Sequence, residues 1–212
     1  MAKAILYLLA YIFLALLPVT LALVRTPTVG VNFLYELGRN IALAAFVILA
    51  LQPVLVARFS WINRSVGTLN RLRFHKAFGV LALVFALLHP ISLGMGGAGP
   101  RLLTSWDVPW FVAVGKIVLV ILTVHVVLAL LRSPLRLNYQ TWKTIHAIGP
   151  PIILIGVFVH SWSAGADLHI LEIQVCWIAL LILAVAALLH RRITVSAASS
   201  TVERRKRKSD SL

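Results

Sequence analysis

The chain has 212 residues, of which 60% are apolar and only 12% are charged, and its mean hydropathy is +0.95. Soluble domains have about 45–50% apolar and about 25% charged residues, so this composition excludes a disordered chain and argues against a water-soluble enzyme. The formal net charge is +14, but the basic residues lie between apolar runs and near the C-terminus, as membrane topology requires, which argues against nucleic-acid binding.

Six apolar stretches are each long enough to cross a bilayer, whose hydrocarbon core requires about 20 residues of helix. They predict an all-α membrane protein, a bundle of six transmembrane helices in the lipid bilayer. The predicted spans are 4–24, 33–57, 74–95, 109–132, 140–163 and 168–190. The first is longer than the apolar core of a signal peptide and lacks a clear cleavage site, so we expect it to be retained. Residues 1–193 form the predicted membrane domain, and 194–212 form a basic tail that we expect to be disordered.

The distribution of lysine and arginine predicts the orientation of the spans. Sixteen of the 20 basic residues lie near the N-terminus, in or beside the connections after the second and fourth spans, and beyond the sixth span. Cytoplasmic segments carry an excess of these residues. We therefore expect a multi-pass protein of the cell membrane with both termini in the cytoplasm and with the third and fifth spans running outward.

Four histidines occupy equivalent positions in the third and fifth spans. His75 and His89 are fourteen residues apart, and so are His146 and His160. Fourteen residues rise about 21 Å and turn about 1400°, close to four full turns, so the two histidines of each span share a helix face. Because both spans run outward, His75 and His146 (the inner pair) are expected at one depth, and His89 and His160 (the outer pair) at another.

Two imidazoles from facing helices, repeated at two depths, are typical of haem bound by two histidines. A flat macrocycle takes one axial nitrogen from each helix, and neutral imidazole is a good iron ligand. Zinc or copper would accept the same donors, although paired histidines alone leave tetrahedral zinc without its further ligands. The single cysteine, Cys176, excludes a Cys-based zinc site and a Cys-ligated iron–sulfur cluster. Gly79, Gly149 and Gly156 lie near the histidines and are predicted to let a porphyrin approach the helix backbone.

Charged residues in or beside the spans are candidates to bind the haem propionates. Arg39 and Lys116 lie in the outer thirds of the second and fourth spans, where they bind the outer propionates or, alternatively, pair with Glu36 or reach towards the interface. At the inner surface the candidates are Arg73, Lys76 and Lys143. Their alternative function is simple anchoring of the topology by positive charge.

The other three histidines are interpreted as structural. His125, in the fourth span, either packs against a neighbour or contacts a propionate, and packing is the preferred interpretation. His169 and His190 lie at opposite ends of the sixth span and are predicted to be interfacial.

Taken together, these residues resemble the ferric reductase-like transmembrane domain family over about residues 33–190. The matching segments are Leu37-Gly-Arg39, Leu72-Arg-Phe-His75-Lys-Ala-Phe-Gly79 with Leu88-His89-Pro90, and Tyr139-Gln-Thr-Trp142-Lys-Thr-Ile-His146 with His160. The family includes ferric reductases, NADPH oxidases and the haem-binding subunit of the periplasmic methionine sulfoxide reductase system. Its members are six-helix haem b proteins that pass electrons across membranes. The resemblance implies that the four histidines are the axial ligands of two b haems.

The resemblance also implies a separate electron donor. Ferric reductases and NADPH oxidases carry a cytoplasmic flavin and nicotinamide domain after the last span, whereas about twenty residues follow it here, without a glycine-rich dinucleotide fingerprint. We therefore expect an oxidoreductase component that takes electrons from a cytoplasmic flavoprotein reductase or a quinol. The external acceptor is then a ferric chelate, oxygen or a protein.

Three alternatives remain open at this point. A haem-binding subunit of the methionine sulfoxide reductase type is one, although such subunits need not carry all four histidines. A histidine-based proton or solute transporter without haem belongs to a different class of protein. A non-catalytic haem-binding assembly partner would share the haem but would not conduct electrons.

Overall fold

The computed structural model describes residues 2–25, 32–57, 59 and 67–209, with side chains described for 5–25, 32–57, 59 and 67–194. Within these residues it is helical and contains no strand. The six long helices are α1 (Ala2–Arg25), α2 (Phe33–Val56), α3 (Thr68–Leu93), α4 (Trp110–Leu130), α5 (Tyr139–Ala164) and α6 (Leu171–Ser209). Each contains a segment long and apolar enough to cross a membrane. The predicted all-α architecture of six spanning helices is therefore confirmed.

The helix boundaries agree with the predicted spans to within a few residues, except at the start of α3 and the end of α6. α3 begins at Thr68 rather than at 74, directly after Gly67, whose φ of 78° breaks the helical backbone. Charged side chains such as Arg71 lower the local hydropathy and so excluded this stretch from the predicted span. Hydropathy detects the apolar part of a helix, whereas the backbone hydrogen bonds continue beyond it.

The segment after the sixth span differs from the disordered tail that its composition predicted. α6 continues as a helix to Ser209. Extending an existing helix costs far less than starting one, because each added residue gains a backbone hydrogen bond. This stretch also contains alanine, glutamate, lysine and arginine, which are good helix formers. The division of the chain into a membrane domain, 1–193, and a tail, 194–212, stays a prediction.

α2 lies at the centre of the bundle, where it packs against α1, α3 and α6. Its Phe46 is 1% exposed and stacks on Trp177 of α6 with ring centroids 4.5 Å apart. The contact with α3 is closest at Gly38, where a Cβ atom would lie 3.0 Å from the carbonyl oxygen of His89. The missing side chain thus brings the backbone of α2 against the end of α3 that carries His89.

The two helices that carry the histidine pairs are held by different neighbours. α3 packs mainly on α2, and α5 packs mainly on α4, so the backbones of α3 and α5 make few direct contacts. α5 continues as one helix through Pro150 and Pro151. The space between α3 and α5 is therefore bridged by side chains.

The outward faces of the helices are apolar. Leu6, Phe13 and Ile182 remain 66%, 65% and 64% exposed. Apolar surface of this kind is rare on soluble monomers, whereas the hydrocarbon of a bilayer solvates it. Helices can cross that hydrocarbon because their backbone hydrogen bonds are satisfied internally. The protein is a multi-pass membrane protein, and the lipid bilayer is its solvent.

Candidate functional site

The four histidines of the two pairs occupy matching positions on α3 and α5. Each helix has 26 residues, and in each the first histidine is the eighth residue and the second is the twenty-second. Each histidine of α3 therefore has a counterpart on α5 at the same distance from the helix start.

Each histidine faces its counterpart across the space between the helices. The ring centroids of His75 and His146 are 6.0 Å apart, and those of His89 and His160 are 6.3 Å apart. Imidazole nitrogen binds a first-row metal at about 2.0–2.1 Å, so two rings that share one metal have centroids about 6 Å apart. The pairing expected from the spacing is present in both pairs.

In the outer pair, a backbone carbonyl orients each ring. Nδ1 of His89 lies 2.9 Å from the carbonyl oxygen of Gly38 in α2, and Nδ1 of His160 lies 2.7 Å from that of Phe111 in α4. A carbonyl oxygen can only accept, so Nδ1 carries the proton and donates it in both rings. Nε2 of each neutral ring then has its lone pair available, which is the usual arrangement of a metal-binding histidine.

A cavity of about 320 Å³ lies against the outer pair, within the range of about 300–1,000 Å³ typical of cofactor and small-molecule sites. Both outer histidines line it. Its walls are mainly apolar and include Phe46 and Trp177, and the charged side chains among them are Arg39, Lys116 and Asp167. An apolar slot with two imidazoles and a lysine suits a flat apolar group that carries a carboxylate.

Arg39 is held by two carboxylates. It forms an ion pair with Glu36 at 2.8 Å, and its Nε lies 3.3 Å from Oδ2 of Asp167. Asp167 is only 1% exposed, and a buried carboxylate needs a charged partner. Pairing with Glu36 is the alternative already visible in the sequence. Asp167 lies in the connection between α5 and α6, and only the fold shows that this connection reaches α2.

Lys116, the second cation of this cavity, also has protein partners. Its ammonium group donates to the carbonyl oxygen of Ser105 and lies 5.4 Å from the ring centroid of Trp106. A lysine so placed is held by a cation–π contact, and it faces the cavity without pairing with Glu36.

The inner pair has different surroundings. His146 stacks on Trp142 of its own helix with centroids 5.0 Å apart and on His125 of α4 with centroids 4.7 Å apart. Nδ1 of His75, Nδ1 of His146 and Nε1 of Trp142 are buried without a hydrogen-bond partner among the described residues. Native proteins leave few buried polar atoms unpaired. Three such atoms around one histidine pair favour a bound polar group at this position.

The buried arginine on the same helix face as His75 is not the one expected from the sequence. Arg73 is exposed, whereas Arg71 is 4% exposed. Arg71 and Arg191 of α6 both act electrostatically on His75. Arg71 precedes His75 by four residues and therefore shares its helix face, while Arg73 precedes it by only two. The i, i+4 relation was visible in the sequence and would have identified Arg71, but Arg191 comes from a distant part of the chain.

Two of the glycines near the histidines accommodate α4 rather than a porphyrin. A Cβ atom at Gly149 would lie 2.4 Å from Nδ1 of His125, and one at Gly156 would lie 2.3 Å from Cγ2 of Val118. The expectation that these two positions open the backbone to a macrocycle is therefore wrong, because side chains of α4 fill the space. The space beside Gly79 stays open, since the nearest atom to a Cβ there would be Oε1 of Gln52, at 3.9 Å.

Gly115 of α4 accommodates a histidine ring of the outer pair. A Cβ atom there would lie 2.6 Å from both Nδ1 and Cε1 of His160. The ring of His160 thus lies directly on the backbone of α4, one turn from the Phe111 carbonyl that accepts its proton. The sequence does not single out this glycine, because it is far along the chain from the histidine that it accommodates.

The other three histidines belong to neither pair. His125 packs between α4 and α5, as preferred from the sequence. His169 is exposed and its Nδ1 contacts the carbonyl oxygen of Ala166, while His190 stacks on Phe59 with centroids 4.7 Å apart. Among the described residues, no group of three or more His, Cys, Asp or Glu side chains is arranged to hold a metal ion.

Fold and site together define a six-helix membrane protein with two stacked histidine pairs between its third and fifth helices. A family model described as the ferric reductase like transmembrane component matches residues 41–157, more than half of the 212. The chain belongs to this family. Family membership indicates transmembrane electron transfer as the general activity, and domains of this kind generally bind haem. The match includes His75, His89 and His146 and ends shortly before His160.

No curated protein and no solved structure matches the chain.

Proposed function

We propose that the chain transfers electrons across the membrane through two b-type haems, one bound by His75 and His146 and the other by His89 and His160. The observation that carries the proposal is the repetition of one arrangement. Two facing histidine pairs lie at 6.0 and 6.3 Å on helices whose backbones make few direct contacts. Haem would supply an iron that gains and loses one electron. The residues of the chain bind it, orient it and exclude water.

At the outer pair, the hydrogen bonds to Gly38 and Phe111 support the proposal because they leave both Nε2 atoms as metal ligands. The adjoining cavity supplies apolar walls for a macrocycle. Lys116 and Arg39 line the same cavity and are the candidates to bind its propionates. Glu36 and Asp167 hold Arg39 in place beside it.

At the inner pair, the facing rings of His75 and His146, with centroids 6.0 Å apart, support the proposal. Their Nδ1 atoms are buried without a hydrogen-bond partner among the described residues, unlike those of the outer pair. Positive charge for the propionates is available from Arg71, buried one turn before His75, and from Arg191 of α6. Arg73 remains a candidate at the inner surface, but its exposed position makes it the weaker one. Burial of Arg71 strengthens any charge-assisted hydrogen bond that it donates.

The separation of the pairs suits transfer from one side to the other. Fourteen helical residues span about 21 Å of a hydrocarbon core about 30 Å thick. Buried apolar side chains from α3, α4 and α5, including Leu83, Leu122 and Ile153, pack between these depths. Because each haem would be held by two histidines, outer-sphere transfer is favoured over binding of oxygen at iron. In the proposed direction, a cytoplasmic flavoprotein or quinol donates at the inner pair, and an external acceptor takes electrons from the outer one.

The haem-to-protein ratio of the purified full chain, together with its reduced-minus-oxidised spectrum, tests this proposal. We expect two haems per chain, a Soret band and a split low-spin α band on reduction. One haem per chain would favour a subunit of the methionine sulfoxide reductase type instead. A colourless protein would reject haem binding and would support a histidine-based transporter.

A further inference from the structure

α2 and α3 pack against each other in opposite directions, and their register relates the two histidines of α3 to two residues of α2. At the outer end, the carbonyl oxygen of Gly38 in α2 lies 2.9 Å from Nδ1 of His89 and accepts its proton. Fourteen residues further along α2 is Gln52, and fourteen residues back along α3 is His75. Equal steps along two antiparallel helices cover equal distances. Gln52 is therefore expected opposite His75.

Contacts between the two helices confirm this register at the inner end. A Cβ atom at Gly38 would lie 3.0 Å from the backbone nitrogen of Leu93. Fourteen residues before Leu93 is Gly79, where the atom nearest to a Cβ would be Oε1 of Gln52, at 3.9 Å. Gly79 lies one turn after His75 and shares its helix face. The side-chain carbonyl of Gln52 thus approaches α3 on the face that carries His75.

Tyr11 of α1 determines which end of the Gln52 amide faces α3. Nε2 of Gln52 lies 3.4 Å from the Tyr11 hydroxyl and 3.4 Å from the carbonyl oxygen of Ile48. The hydroxyl itself donates to that carbonyl at 3.1 Å, and its ring stacks on Phe78 of α3 with centroids 4.2 Å apart. A reversed amide would bring Oε1 against the Ile48 carbonyl oxygen, and two acceptors form no hydrogen bond. Oε1 is therefore the end of the amide left for α3.

Oε1 of Gln52 and Nδ1 of His75 complement each other. Both atoms are buried without a hydrogen-bond partner in the part of the chain that the structure describes, and Gln52 is only 9% exposed. Native proteins leave few such atoms unpaired. Oε1 can only accept, and a neutral ring that binds a metal through Nε2 carries its proton on Nδ1. The acceptor and the donor lie on neighbouring helices in matching register.

We propose that Gln52 is a positioning residue of the inner pair, whose side-chain carbonyl accepts the Nδ1 proton of His75 directly or through one water. A rotation about the side-chain torsions of Gln52, or the bridging water, closes the contact. At the outer end, Gly38 lets the two backbones touch, so a backbone carbonyl serves the same purpose for His89. The helices are farther apart at the inner end, where a side chain has to reach across.

The consequence for the inner site rests on the proposed function. A carbonyl on Nδ1 holds the ring in the tautomer that leaves Nε2 to the metal, and it makes the imidazole a more basic ligand. A more basic ligand stabilises ferric iron more than ferrous iron. Gln52 therefore strengthens haem binding at the inner pair and lowers the reduction potential there.

The tautomer of His75 tests the hydrogen bond itself and does not require haem. In the haem-free full chain, labelled at the histidine nitrogens for NMR, the His75 signals are those that His75→Ala lacks. We expect a proton on Nδ1 in the unaltered chain and in Gln52→Glu, which keeps a side-chain oxygen, and a shift of that proton to Nε2 in Gln52→Leu. Gln174→Leu is the matched control, since Gln174 of α6 donates to the carbonyl oxygen of Leu168, beyond α5. An unchanged His75 tautomer in Gln52→Leu would overturn the proposal.

Redox titration of the haem-loaded chain tests the consequence. Gln52→Leu should weaken binding of ferric haem at the inner pair about tenfold to a hundredfold. It should also raise the inner midpoint potential, by about 59 mV for each tenfold that ferric binding loses beyond ferrous binding. Gln52→Glu should restore both, and the outer haem, which His146→Ala retains, should not respond. An unchanged inner potential in Gln52→Leu would reject Gln52 as a positioning residue. Absence of haem from the unaltered chain would instead refute the proposed function, and the tautomer of His75 would still decide the hydrogen bond.

Discussion

Replacing Gly115 by alanine should remove the outer haem and leave the inner one in place. The new Cβ atom would lie 2.6 Å from Nδ1 and Cε1 of His160, whereas carbon contacts are optimal at about 3.5–4.0 Å, so the ring must move by roughly 1 Å. The ring is not free to retreat, because Nδ1 donates to the Phe111 carbonyl at 2.7 Å. Overpacking costs about 1–3 kcal/mol and loss of the hydrogen bond about 0.5–1.5 kcal/mol. Together they should weaken haem binding at the outer site at least about tenfold.

Haem content and the reduced spectrum of Gly115→Ala should be compared with those of Gly94→Ala. Gly94 directly follows α3, five residues after His89, with a helical backbone (φ −60°, ψ −43°), and a Cβ atom there would lie 3.5 Å from the nearest neighbouring atom, the carbonyl oxygen of Gly99. Alanine favours a helix over glycine by about 1 kcal/mol in both variants, so a loss confined to Gly115→Ala reports the clash with His160. We expect one haem per chain in Gly115→Ala and two in Gly94→Ala. Two haems with an unchanged outer spectrum in Gly115→Ala would refute His160 as a ligand in this position.

The remaining predictions concern the ligands, the inner arginines and the topology. His146→Ala should remove the inner haem and His160→Ala the outer one, each as the loss of one haem and one component of the α band; full haem content in both would refute the ligand assignment. Arg71→Gln should weaken haem binding at the inner site about tenfold to a hundredfold, since a hydrogen bond to a charged group is worth about 1.5–3 kcal/mol. Arg73→Gln should leave haem retention unchanged because Arg73 is exposed. Equal retention in these two arginine variants would contradict the assignment. A reporter fused after Leu212 should be active only in the cytoplasm, because basic residues concentrate on that side; activity outside the cell would invert the topology.

The histidine pairs could be predicted because they depend on regular geometry alone. Once His75, His89, His146 and His160 are assigned to two long helices, the helical repeat puts the two histidines of each helix on one face. Arg71 follows from the same rule, since it lies one turn before His75, and it was missed only because hydropathy placed the start of the predicted span at 74, after Arg71.

The contacts between distant parts of the chain could not be predicted in this way. Asp167 reaches Arg39, and Gly115 accommodates His160, only because of how the helices pack. Helical periodicity tells which residues share a face but not which neighbour covers that face. The same limit explains Gly149, whose missing side chain was interpreted as space for a porphyrin, although His125 of α4 occupies it.

Electron transfer across sealed proteoliposomes tests the central claim most directly. The full chain with its haem is reconstituted with a membrane-impermeant acceptor such as ferricyanide inside and an impermeant reductant outside. We predict that the internal acceptor is reduced only in the presence of the haem-loaded chain, and that His146→Ala and His160→Ala each abolish the transfer because each interrupts one of two centres in series. Haem-replete liposomes that leave the internal acceptor oxidised would contradict the account and would identify a haem-binding protein that does not conduct electrons.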